Sequence, residues 1–309
     1  MQTFDEIFAE VQSRREESSQ DYVLKKYLKR LSKYTDRPTV LYASAFSESD
    51  IPGRALQLGR QDVSCFMAAA AGADGGGLDL IVHSPGGSVE AAEQIVAYLR
   101  RRFDDIRVVV PVCALSSAAL LACAADRIVL ADHSALGPID PIVNWIHGGE
   151  SYSAGAQLVI DEYSIAQRNL NNKKNEPALW LERLKAFPPG LLATCRRQIQ
   201  LSQKLAERWL AGYMFRGEED AEQKAQRIAG WLSDSRRTGE SHRSIGLSDA
   251  VSQGLKAERL DDDEKLLENV MAVFYAGMVK FRSEDCVKIV ENQNGRGCTF
   301  TSRRAIASS

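Results

Sequence analysis

No run in this chain is long and apolar enough for a bilayer: the longest, Val112 to Ala125, falls short and is rich in Ala, Cys and Ser, so it reads as a buried helix. Strong charge of either sign is also missing. Lys and Arg number 39 against 41 Asp and Glu, a formal net charge of -2, which gives no electrostatic footprint for nucleic acid or an anionic membrane. No C-x-x-C pair occurs among the six cysteines, Cys65, Cys113, Cys123, Cys195, Cys286 and Cys298. A zinc site is therefore not expected, and reduced, buried thiols in a cytoplasmic protein are. The glycine-rich stretch 72–77 lacks a following Gly-Lys-Ser/Thr and leads into strand-like residues, so it is no phosphate loop. Met1 to Glu17 is charged throughout and has no apolar h-region of the kind a signal peptide carries. Histidine is scarce: His83, His133, His147 and His242 are all there are.

What is present suits a folded chain with a large core: 309 residues, 44% hydrophobic and 26% charged. Residues 1–36 carry apolar positions at helical spacing and read as two helices on the outside or against a neighbouring subunit. Strands are expected over 39–43, 78–83, 106–112 and 127–131, with helices over 56–71, 88–102 and 116–125 between them. Strands alternating with helices argue for a parallel-rich sheet with covering helices. From Ser153 to Leu232 the pattern is all helix, so the C-terminal half is mostly helical. A short return over 236–259 ends in a strand near Lys256 to Leu260. Asp261-Asp262-Asp263 then caps a helix from Glu264 to Lys280, and Val287 to Val290 reads as a small strand before a polar, frayed last dozen residues. As segments these are 1–36, 37–150, 151–235 and 236–309, within one continuous domain.

Two strand-to-helix corners carry the chemistry. One is His83-Ser84-Pro85-Gly86-Gly87-Ser88, whose paired glycines can expose backbone N–H groups at little steric cost. The other is Ala114-Leu115-Ser116-Ser117-Ala118-Ala119, which sets a serine at a helix start, where the dipole favours developing negative charge. Consecutive corners in one sheet lie at the same edge. A serine facing amide donors is the constellation for acyl transfer; set against that, a serine there can simply cap its helix.

Asp79-Leu80-Ile81-Val82-His83-Ser84-Pro85-Gly86-Gly87, Ala114-Leu115-Ser116 and Ala124-Ala125-Asp126-Arg127-Ile128-Val129 resemble the Clp protease/crotonase superfamily. Asp132-His133-Ser134-Ala135-Leu136-Gly137-Pro138-Ile139-Asp140-Pro141 looks like the serine dehydrogenase proteinase family within it, which is related to signal peptide peptidase A. The resemblance implies an α/β, Clp protease/crotonase-like fold, ATP-independent serine peptidase chemistry on a peptide or protein substrate, and a homo-oligomer. It implies no cofactor, metal, nucleic acid or transmembrane segment. In these relatives the nucleophile lies ten residues before an acidic residue that opens the next strand, and Asp126 thereby picks out Ser116. Gly86, Gly87 and the Ser117 amide then form the oxyanion hole. The chain departs from the family at Ser117-Ala118, where relatives show Ala-Gly or Gly-Gly; a Cβ in the glycine's place narrows the cradle.

The general base is open. Relatives with a Ser-Lys dyad place the lysine in a region that here, from Ser117 to Asn172, holds none. His242 is the leading choice, because it sits among small polar residues outside any apolar stripe. His83, His133 and Lys204 are alternatives, and Asp140 is a possible orienter of a histidine or a plain turn residue before Pro141. Two other functions compete with the peptidase: a catalytically silent oligomeric binding or scaffold protein of the same fold, and a crotonase-type enzyme whose glycine corner holds a coenzyme A thioester enolate. Trp180, Trp209 and Trp231 read as core or subunit-contact anchors.

Overall fold

The structure is a computed structural model that describes residues 2–14, 18–48, 53–73, 76–171, 177–233, 244–283 and 285–301. Helices α1 (Phe4–Ser13) and α2 (Ser19–Thr35) precede strand β1 (Thr39–Ser44). A single turn, α3 (Gly53–Leu56), leads to α4 (Arg60–Ala69), β2 (Gly77–His83), α5 (Val89–Leu99), β3 (Asp105–Val110), β4 (Cys113–Ala114), α6 (Ser117–Cys123), β5 (Arg127–Leu130) and β6 (Ala135–Leu136). A hairpin of β7 (Ile142–His147) and β8 (Glu150–Gly155) then opens the helical part: α7 (Ala156–Leu170), α8 (Pro177–Leu184), α9 (Leu191–Trp209) and α10 (Ala221–Ser233). The chain returns through α11 (Leu247–Ser252), β9 (Ala257–Arg259), α12 (Glu264–Ser283), β10 (Cys286–Asn292) and β11 (Gly297–Thr301).

Seven strands form one sheet in the order β11-β10-β1-β2-β3-β5-β9. From β1 to β9 every neighbour is parallel, and β10 runs antiparallel to both β1 and β11. Alternation sorts the strand residues between two apolar layers. Val40, Tyr42, Leu80, Val82, Val108 and Val110 pack with α4, α5, α6, α9 and α10. Leu41, Ala43, Ile81, Val109 and Val129 pack with α1, α2 and α12. With both faces covered, the middles of the parallel strands are apolar on both sides, which is why they read as apolar runs. At the opposite edge from the corners, buried Asp79 accepts from Arg37 and Arg107, each at 2.7 Å.

Four expectations change. The helix expected over 56–71 starts only at Arg60, because Gly59 caps it and Asp62 accepts the Gly59 amide at 2.7 Å; residues 57–59 are not helical, and Leu58 bridges to Gly87. The small strand at 287–290 is a fully buried seven-residue strand, and residues 298–301 of the terminus expected to fray pair with it as part of β11. The region expected to be all helix from Ser153 starts helical only at Ala156, since Ser153 to Gly155 close the β7–β8 hairpin. Cys65 and Cys298 are joined in a disulfide between α4 and β11, contrary to the all-thiol reading; Cys113, Cys123, Cys195 and Cys286 are in no disulfide. The two cysteines lie 233 residues apart and meet only once β11 has paired with the sheet, so spacing gives no hint of the bond. No helix among the described residues is long and apolar enough to cross a membrane.

Candidate active site

Ser116 lies two residues past the short strand β4 and is the N-terminal flank of α6, with φ 51° and ψ -122°. Such backbone costs a non-glycine residue on the order of 1–3 kcal/mol and persists only where the surroundings impose it. The other described non-glycine residues at positive φ, Ser18 and Asp36, are ordinary left-handed helix flanks. Ser116 is held by its amide, which donates to Pro138 O at 3.1 Å, and by Leu120, whose amide donates to its carbonyl. Its hydroxyl makes no capping bond to the helix; it donates to Asp140 O at 2.7 Å. The side chain is therefore not a helix cap, and the turn containing Gly137-Pro138 sets its direction.

The glycine corner lies directly against it. The end of β2 continues as a bridge from Ser84 to Ala114, with the Leu115 amide donating to Ser84 O at 3.0 Å. Gly86 has φ +84°, and a Cβ there would sit 2.4 Å from Leu115 O, 2.7 Å from Ser117 N and 2.8 Å from Ser116 Cβ. Only glycine permits this approach. The three expected donors differ. The Gly86 amide is engaged, donating to Ser84 Oγ at 3.1 Å. The Gly87 and Ser117 amides donate to no acceptor among the described residues. Ala118, the residue in place of the family's glycine, is fully buried in the apolar layer, and its amide donates to Leu115 O.

The candidate bases fare unequally. His83 is buried between the rings of Phe46 and Phe274, with Nδ1 3.8 Å from Cys113 Sγ and Nε2 unpartnered. Burial pushes its pKa down to about 4. His133 and Lys204 are exposed, the latter on α9, and neither bonds to Ser116. His242 lies outside the described residues. Asp140 contacts Ser116 through its carbonyl, not its carboxylate, which accepts the Gln157 amide at 3.1 Å and so caps α7. Burial, with the charge of Asp161 added, raises that carboxyl to about 6 against the pull of the Gln157 amide. Asp126, which fixed the serine register, is structural: it accepts from Arg100 and from the Ile106 amide, each at 2.7 Å, and so sets where β5 begins beside β3. Trp209 is buried in the core and Trp231 packs against it; Trp180 lies under the Arg183 guanidinium.

Beside Gly87 opens a cleft of about 460 Å³, lined among others by Leu58, Glu90, Val143, Asn144 and Gln198. One wall is the non-helical stretch 57–59, where the sequence pattern predicts helix. Its trace in the sequence is Gly59 three residues before Asp62, a helix start with an acidic group on the capping amide. Gln57 joins that wall to the hairpin, accepting from Asn144 Nδ2 at 3.1 Å.

Several known proteins are similar. One uncharacterised protein of Methanocaldococcus jannaschii is 47% identical over 64 residues, 21% of this chain and 22% of its own length. A second from the same organism is 35% identical over 91 residues, 28% of this chain and 31% of its own. The chain thus spans less than a third of the curated relatives it matches. A solved mutant of the membrane-bound stomatin-specific protease 1510-N aligns with a TM-score of 0.39 at 14% identity, covering 69% of this chain and 79% of that one. The family model of the ClpP-like SDH-type serine proteinases matches residues 64–151. That segment carries both corners, Asp126 and Asp140, and over it the chain is similar to the ClpP-like SDH-type serine proteinases.

Proposed function

We propose that this protein is an ATP-independent serine peptidase with Ser116 as nucleophile, working as a homo-oligomer. The observation that carries the reading is the strained Ser116 elbow pressed against the glycine corner, where the Gly87 and Ser117 amides donate to no acceptor among the described residues. In this reading Ser116 Oγ leaves its bond to Asp140 O, attacks the scissile carbonyl carbon, and passes its proton to a base. The oxyanion accepts from the Gly87 and Ser117 amides, which are fixed before the charge develops. Collapse expels the amine, which takes the proton back from the base, and leaves an acyl-Ser116 ester. Water then repeats the sequence and frees the acid. The Gly86 amide, already donating to Ser84 Oγ, supports the corner and is no donor to substrate.

His242 remains the proposed base. The argument is one of tether length. Ile245 pairs with Leu136 through bonds of 2.7 and 2.9 Å, and Pro138, two residues on, accepts the Ser116 amide. Three residues span at most about 10 Å, which bounds how far a histidine three before Ile245 can lie from this pairing. His83, enclosed by aromatic rings, and the exposed His133 and Lys204 have no such argument.

A fluorophosphonate probe tests the reading. We expect one adduct, on Ser116, absent in Ser116→Ala. Ester or peptide hydrolysis should fall about a hundredfold or more in both Ser116→Ala and His242→Ala. An unlabelled, inactive wild type would move the silent binding protein ahead, and coenzyme A retained through purification would favour the crotonase-type enzyme.

A further inference from the structure

Lys288 lies on β10 and Asp62 in the first turn of α4, and both side chains are fully buried. Lys288 Nζ donates to Asp62 Oδ2 at 2.8 Å and to Gln57 O at 2.9 Å. The same Asp62 oxygen accepts the Gly59 amide at 2.7 Å. These bonds pin the stretch 57–59 at both ends. Between them Leu58 pairs with the glycine corner: its amide donates to Gly86 O and its carbonyl accepts the Ser88 amide, each at 2.8 Å. The two bonds bracket Gly87, and a Cβ on Gly87 would sit 2.3 Å from Leu58 O. The chain of contacts therefore runs from Lys288 and Asp62 through Leu58 to the Gly87 peptide.

Stability alone does not explain the pair. Burial pushes the Asp62 carboxyl up and the Lys288 ammonium down, each against the attraction of its partner. Replacing such a pair with apolar side chains of equal volume is often neutral or stabilising. Lys288 sits on the sheet face whose next strand residue, Val290, belongs to the large apolar layer, so an aliphatic side chain would pack there. An aliphatic side chain could not hold the Gln57 carbonyl.

We infer that Lys288 and Asp62 are positioning residues of the amide cradle, fixing the Gly87 N–H through the 57–59 strap. This rests on the peptidase reading above. Displacement of a donor that meets the oxyanion only in the transition state lowers kcat and leaves substrate binding alone.

The test is ester hydrolysis by the full chain carrying Lys288→Met with Asp62→Asn, beside wild type. This double substitution leaves no lone buried charge and keeps an oxygen for the Gly59 amide. We expect kcat to fall about tenfold or more with KM within about twofold and an unchanged thermal midpoint, a loosened donor rather than a lost one. Should the double variant fail to fold, Lys288→Met alone, which removes the Gln57 bond and leaves Asp62 on Gly59, decides on kcat and KM read well below its own lowered thermal midpoint; the same split between kcat and KM is expected. An unchanged kcat, a loss confined to KM, or a loss that follows the thermal midpoint overturns the inference and leaves the peptidase reading standing. A wild type without hydrolysis overturns both.

Discussion

At the scale of single residues, Gly86 and Asp140 give opposite lessons. Gly86 matters for what it lacks. Alanine there meets Leu115 O and Ser117 N at under 3 Å as well as an unfavourable φ of +84°. We expect Gly86→Ala to cost at least about 1 kcal/mol through the backbone alone and to abolish probe labelling of Ser116. Gly148, at φ +61° with nothing near its absent Cβ, is the control: alanine there should lower the melting temperature but leave labelling intact. Asp140 matters for what it carries. Its carboxyl, raised from 3.8 to about 6, holds a proton more tightly folded than unfolded. The penalty of ionising it in place is absent below about pH 4, grows as pH rises toward 6, and is complete above that; two pKa units bound it at about 3 kcal/mol. Asp140→Asn should therefore raise the melting temperature at pH 8 and lose that advantage by pH 4. Equal midpoints in wild type and variant at both pH values would show that Asp140 ionises without strain. The paired glycines and the serine were legible because their chemistry is local. The engagement of the Gly86 amide by Ser84 was not, since nothing in the sequence says which neighbouring amide a hydroxyl will take.

At the scale of elements, the parallel strands β1, β2, β3 and β5 were readable from apolar runs between turns, because a sheet covered on both faces admits little else. The edge was not readable. β11 is short and polar, and its identity depends on pairing with β10, whose own place is set by antiparallel contact with β1, more than 240 residues earlier. Helix α4 was misjudged at its start for a related reason: apolar Leu56 and Leu58 continue the helical spacing but are spent on contacts with the core and the glycine corner. The Cys65–Cys298 disulfide ties these two misread elements together, on the helix that also presents Asp62. A cross-link closing so long a loop is worth about 2–4 kcal/mol in most proteins, mainly by restricting the unfolded chain. Cys298→Ser should lower the melting temperature of oxidised protein, and dithiothreitol should erase the difference between variant and wild type. A variant as stable as wild type without reductant would mean the bond contributes nothing to the fold.

At the scale of the whole molecule, the sheet with its two helical layers leaves one part thinly covered. The hairpin β7–β8 with α7, α8 and the start of α9 gathers around a small cluster of its own, Val143, Ala156, Val159, Leu191 and Cys195. No residue of α8 is buried. Ile146, Leu158, Ile165, Leu179 and Leu181 are all large, apolar and exposed on this arm, five of the nine such side chains among the described residues. Exposed apolar surface concentrated in this way marks a contact site, and identical chains most often meet by closed symmetry. The proposed homo-oligomer therefore has a definite seam. The arm also forms one wall of the cleft, through Val143 and Asn144, so assembly and catalysis are linked in this reading. Leu179→Lys with Leu181→Lys changes only exposed positions and should leave the melting curve of the fold nearly unchanged. Analytical ultracentrifugation at micromolar concentration should show wild type as an oligomer and the double variant dissociated, with hydrolysis lower as the cleft wall loosens. A wild-type monomer under those conditions sinks the assembly proposal outright. A variant that stays assembled would move the seam off α8.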